Sequence, residues 1–196
     1  MNRNKILLIG LLVGLIALGL LGSAPIQAYV SAQLEQPLAE MALQERELPA
    51  NTPILSAGPV SFEDPSHPIN AMNSASFRVH EFLEVYQLDA VGDQIDIGNY
   101  LYRYDSAIHA EEQAKAFIEY ALQHKELQPV LISDSSDVNR GVKGQSIRVV
   151  SPETGGIYYW FIGAKGRTLI LLAVTGLPNE SAQATFESLK ATVQQR

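Results

Sequence analysis

Apolar positions fall into three regimes along the chain. From Ile6 to Leu21 every residue is Leu, Ile, Val, Ala or Gly, and no charge follows until Glu35. A span needs about 20 apolar residues, and the stretch Ile6 to Ile26, ILLIGLLVGLIALGLLGSAPI, reaches that length. Arg3 and Lys5 precede it, with no acid. Two readings follow for residues 1–28: a retained single-pass membrane helix, or a signal segment cleaved near the small residues around Ala28 or Ser31. In both, the basic end stays cytoplasmic and the remainder is extracytoplasmic or periplasmic.

In the second regime the pattern is weak. Across residues 29–48, Leu38, Met41, Ala42 and Leu48 approximate one helical face, interrupted by Glu45, which reads as a juxtamembrane helix or a solvated stalk. Residues 49–76 carry Pro49, Pro53, Pro59, Pro65 and Pro68. Proline removes donors and fixes φ, so this stretch reads as a linker.

The third regime, 77–196, is strongly patterned and reads as one globular domain. Phe77 to Leu88 fits a strand, with a turn at Val91-Gly92-Asp93. Ile95 to Tyr104 is a strand carrying Tyr100, Tyr102 and Tyr104 on one face. Ala107 to Lys125 is an amphipathic helix with Ala110, Ala114, Phe117, Ile118, Ala121 and Leu122 on its apolar stripe. Asp105 or Ser106 is its candidate cap, and Glu111 and Glu112 complement the helix dipole. Strands follow at Pro129 to Ser133, Gln145 to Val150, Ile157 to Ile162 and Thr168 to Thr175, with a hairpin turn over 164–167. The last strand is apolar on both faces, as a central strand is. A final helix opens at Asn179 and buries Ala182, Phe186, Leu189 and Val193. Short turns between successive strands make them antiparallel, so the fold class is α+β: an antiparallel meander sheet flanked by two amphipathic helices.

Composition narrows the function. The chain has 14 Lys and Arg against 21 Asp and Glu, a formal charge of −7. Setting aside Arg3 and Lys5 makes the exported part −9. Such a surface repels nucleic acid. There is no cysteine, hence no disulfide, no thiol nucleophile and no lipid anchor on cysteine.

Motifs for chemistry are lacking in the sequence. His80-Glu81-Phe82-Leu83-Glu84 starts like HExxH but has Glu84 where the second histidine belongs. His67, His80, His109 and His124 read as independent surface side chains, and no metal or cofactor is expected. Asp89, Asp93 and Asp96, and Asp134 with Asp137 and Asn139, lack the spacing of a calcium loop and read as solvated acids. Gly144-Gln145-Ser146 lacks the second glycine of a nucleophile elbow. The sequence thus names no catalytic residue.

Aromatic residues supply the candidate binding surface. Tyr158, Tyr159, Trp160 and Phe161 are consecutive, so alternate members face opposite sides of the sheet. Tyr100, Tyr102, Tyr104, Tyr158 and Trp160 form a binding platform if exposed, and a core stripe if a helix covers them.

The order of a GD turn, strand, helix, hairpin sheet and C-terminal helix over Phe77 to Gln195 resembles the PsbP-like domains of bacterial exported proteins. The resemblance implies that fold and a non-enzymatic role, and it transfers no functional residue. The resulting expectation is a non-enzymatic, membrane-tethered extracytoplasmic protein that binds a membrane-protein partner or serves as an accessory subunit of an envelope complex. A small-ligand-binding domain using the aromatic face is the alternative, and an unrecognised hydrolase the third reading.

Overall fold

The computed structural model describes residues 36–60, 79–123, 128–135, 142–150, 155–176 and 180–196. The apolar run 6–26, and with it the expected membrane or signal segment, lies outside them. Among the described residues no helix is long and apolar enough to cross a membrane.

From Leu38 onward the chain forms one compact unit. Seven strands form one antiparallel sheet: β1 (Ile54–Pro59), β2 (Glu84–Val91), β3 (Ile95–Arg103), β4 (Val130–Ser135), β5 (Lys143–Val150), β6 (Ile157–Lys165) and β7 (Thr168–Gly176). Their spatial order is β1-β2-β3-β7-β6-β5-β4. Two meanders, β1–β3 and β4–β7, are therefore joined side by side where β3 pairs with β7. The helices are α1 (Leu38–Met41), α2 (Ala107–Gln123) and α3 (Glu180–Gln195), with a short 3-10 turn at Glu45–Glu47.

The expected α+β class is observed, and the two long helices lie on opposite faces. Ala110, Ala114, Phe117 and Ala121 of α2 pack with Tyr102, Ile147, Val149, Ile162, Leu169 and Leu171. Ala182, Phe186, Leu189 and Val193 of α3 pack with Leu101, Tyr159, Phe161, Ile170, Leu172 and Val174. Alternation along β7 explains the division: odd residues face α2 and even residues face α3. β7 is the middle strand of the seven, and its run of Leu, Ile and Val is buried as expected. At the β6–β7 hairpin, Gly166 takes φ +53°, a left-handed conformation that costs glycine little.

The domain begins earlier than the sequence pattern indicates. Leu38, Met41, Ala42 and Leu43, within the stretch expected as a juxtamembrane helix or stalk, are buried in the α3-side core, with Leu38–Met41 forming helix α1. Residues 54–59, expected within a linker, form β1 and pair with β2. Proline is tolerated at a sheet edge, and Pro59 is the last residue of edge strand β1. A buried asparagine docks this N-terminal segment. The Leu43 N–H donates to Asn99 Oδ1 at 2.9 Å, and Asn99 Nδ2 donates to the Leu171 carbonyl at 3.3 Å. Arg196 adds an ion pair to Glu47 and donates to the Glu40 carbonyl.

Of the strand expected over Phe77 to Leu88, Phe77 and Arg78 lie outside the described residues, and among the rest β2 starts at Glu84. Phe82 instead turns edge-on to the rings of Tyr102 and Tyr104.

Candidate functional site

Positions of the predicted platform residues decide its role. Tyr102 and Tyr104 are each 2% exposed. Tyr100, Tyr158 and Trp160 are half-buried against the same α2-side core. Phe117 of α2 meets Trp160 edge-on, with ring centroids 6.2 Å apart. The other members of the aromatic run, Tyr159 and Phe161, lie under α3, where Tyr159 stacks on Phe186. Helices thus pack on both faces of β6; Tyr102 and Tyr104 are core, while Tyr100, Tyr158 and Trp160 keep part of their surface exposed at its margin. Burial pushes the Tyr102 phenol well above its ordinary pKa. Tyr100 is raised too, first by burial and then by its hydrogen bond to Asp89. The Tyr100 hydroxyl donates to Asp89 Oδ1 at 2.6 Å, and Ser56 Oγ donates to Asp89 Oδ2 at 2.9 Å. Asp89, expected as a solvated acid, is therefore a structural tie between β1, β2 and β3.

Among the described residues, exposed large apolar side chains occur singly at Leu55, Val79, Leu83, Val91, Ile108 and Leu122, and three in succession on β4. Val130, Leu131 and Ile132 are 46%, 43% and 37% exposed, so both sides of this strand reach solvent. The pairing of β4 with β5 shifts register between Leu131 and Ser133, the mark of a bulge. Among the described residues no strand pairs with the outer side of β4. The long helices pack over β6 and β7, in the middle of the sheet.

A second site lies at the start of α2 and was not expected. Ser106 Oγ caps the helix by accepting the His109 N–H at 3.2 Å. The other candidate cap, Asp105, uses its carboxylate on the His109 ring, 2.5 Å from Nδ1. That hydrogen bond holds the Asp105 carboxyl below its ordinary pKa. The first turn of α2 carries no acid, so Glu111 and Glu112 stand one turn further from the dipole's positive end than the sequence suggests.

His109 and Glu112 are three apart and share a helical face. The segment before β2 brings His80 to that face. His80 Nε2 lies 2.6 Å from Glu112 Oε2, and the rings of His80 and His109 stack with centroids 3.9 Å apart. A carboxylate only accepts, so His80 donates through Nε2–H and His109 through Nδ1–H. Buried Gln113 fixes the approach: its Oε1 accepts the backbone N–H of Val79 at 3.0 Å and of His80 at 3.2 Å. His80, His109 and Glu112 each bring one ligand atom to within 4.8 Å of the others. Two of the four histidines thus meet, contrary to the expectation that each stands alone, while His67 and His124 lie outside the described residues. In the sequence, the available signal was His109 spaced three before Glu112 and four after Asp105, on a predicted helix. The third member, His80, is far away in the chain and no local spacing points to it.

The fold and these two features define a three-layer α+β domain with an open apolar sheet edge and a histidine–carboxylate cluster. Compared with protein-family models and with curated proteins, the chain matches none.

Proposed function

We propose that this chain is a non-enzymatic, membrane-tethered extracytoplasmic protein that binds a partner protein, acting as an accessory subunit of an envelope complex through β4. The exposed apolar edge carries this reading. A strand edge presents unpaired N–H and C=O groups, and natural proteins blunt such edges with charge, proline or cover. Val130, Leu131 and Ile132 carry neither charge nor proline, and among the described residues no strand covers their outer side, although a bulge follows Leu131. An incoming strand pairs there through its main chain and buries the three side chains, the β-augmentation mode of recognition. Tethering rests on the apolar run Ile6–Ile26 and the basic residues before it.

The test is site-specific photo-crosslinking in the full chain in its native cells. A photoreactive residue at Leu131 should give a discrete crosslinked species that the same residue at Glu119, on the exposed side of α2, does not. Absence of any such species from 130, 131 and 132 alike overturns the reading.

A further inference from the structure

We propose that His80, His109 and Glu112 form a binding site for a divalent transition-metal ion, zinc above all. This site is independent of the β4 edge, so either proposal survives the failure of the other.

The donor set is two imidazoles and one carboxylate, brought within 4.8 Å of one another. Two nitrogens and one oxygen suit zinc, which bonds them at about 2.0–2.2 Å and keeps a fourth position for water in open sites. Calcium and magnesium prefer all-oxygen shells, so the imidazoles select against them. For the ion to bind, the His80 proton moves through solvent from Nε2 to Nδ1, so that Nε2 presents its lone pair. The 2.6 Å hydrogen bond to Glu112 gives way to two metal bonds, and the stacked His80 and His109 rings turn so that their lone pairs converge. At His109 the Nδ1–H is committed to Asp105, which leaves Nε2 with the lone pair. A carboxylate that holds the second ring nitrogen fixes the tautomer and makes the imidazole a better ligand. Asp105 is therefore a positioning residue.

Two features separate this cluster from a chance meeting of surface groups. Gln113 is 3% exposed, and its side-chain oxygen is spent on the two backbone amides that place His80. Ser106 caps the helix turn that carries His109. The two histidines are thus set by buried or capped backbone, and Glu112 joins them from the exposed side of α2.

The experiment is calorimetric titration of the detergent-solubilised, chelator-stripped full chain with zinc chloride. One equivalent should bind saturably, and in histidine-selective nitrogen NMR two of the four imidazoles should shift. His80→Ala and His109→Ala should each weaken binding by about tenfold or more, and Asp105→Asn by about 10- to 100-fold with stoichiometry unchanged. Glu112→Gln keeps the shape of the side chain and serves if a histidine variant fails to fold. His124→Ala should leave affinity unchanged. Non-saturating uptake, or equal affinity in wild type and the His80→Ala/His109→Ala double variant, overturns the site.

Discussion

Asn99 is wholly enclosed in the middle of the sheet, and its two hydrogen bonds tie elements far apart in the chain. Replacing it with alanine leaves the Leu43 N–H buried without that acceptor, a penalty of about 1–3 kcal/mol. Urea denaturation of Asn99→Ala should show a loss of that size, and an unchanged midpoint would mean that this amide finds another partner. The tyrosines predict a pH effect. Tyr100 and Tyr102 have folded pKa values above the ordinary 10.0, so the native state holds their protons more tightly than the unfolded chain does. Their contribution is complete below pH ~10 and is lost as pH rises beyond it. The urea midpoint should therefore fall on the alkaline side, and Tyr100→Phe should soften the fall. A midpoint indifferent to alkali would contradict the burial of these phenols. At this scale the sequence showed which tyrosines share a face but not whether a helix covers that face. The period of two is the same in either case.

Elements with a complete apolar pattern were readable. β7 is apolar on both faces, and the stripes of α2 and α3 have helical spacing, so the middle strand and both covering helices followed from periodicity. β1 was not readable, because Pro53 precedes it, Pro59 ends it, and its exposed and half-buried residues carry little apolar signal. α1 spans only Leu38–Met41, too short for a period to establish itself. The His80–His109 contact was hidden for a different reason: it is made between a helix and a segment without regular structure. β7 gives the test at this scale. Leu171 is buried against the α2-side core. Leu171→Ala should cost about 2–5 kcal/mol through lost burial and the cavity left behind. A near-zero change in a denaturant series would remove β7 from the centre of the fold.

At the scale of the whole molecule, the N-terminal segment of the domain is a part of its core. The sequence pattern alone puts the folded unit at 77–196. In the structure that cut deletes β1, leaving β2 as the sheet edge, and strips Leu38, Met41, Ala42 and Leu43 from the cluster around α3. It also removes Glu47, the ion-pair partner of Arg196. Each of the buried leucines and the methionine contributes about 1.5–3 kcal/mol. Losing several exceeds a margin of about 5–15 kcal/mol or consumes most of it. Two fragments separate the possibilities. Residues 36–196 should give a cooperative urea transition and a native circular dichroism spectrum. Residues 77–196 should show weakened or absent cooperativity at the same concentration. If the shorter fragment unfolds with the same midpoint as the longer, then α1, β1 and the Asn99 tie are accessory to the domain. Its boundary would then return to Phe77.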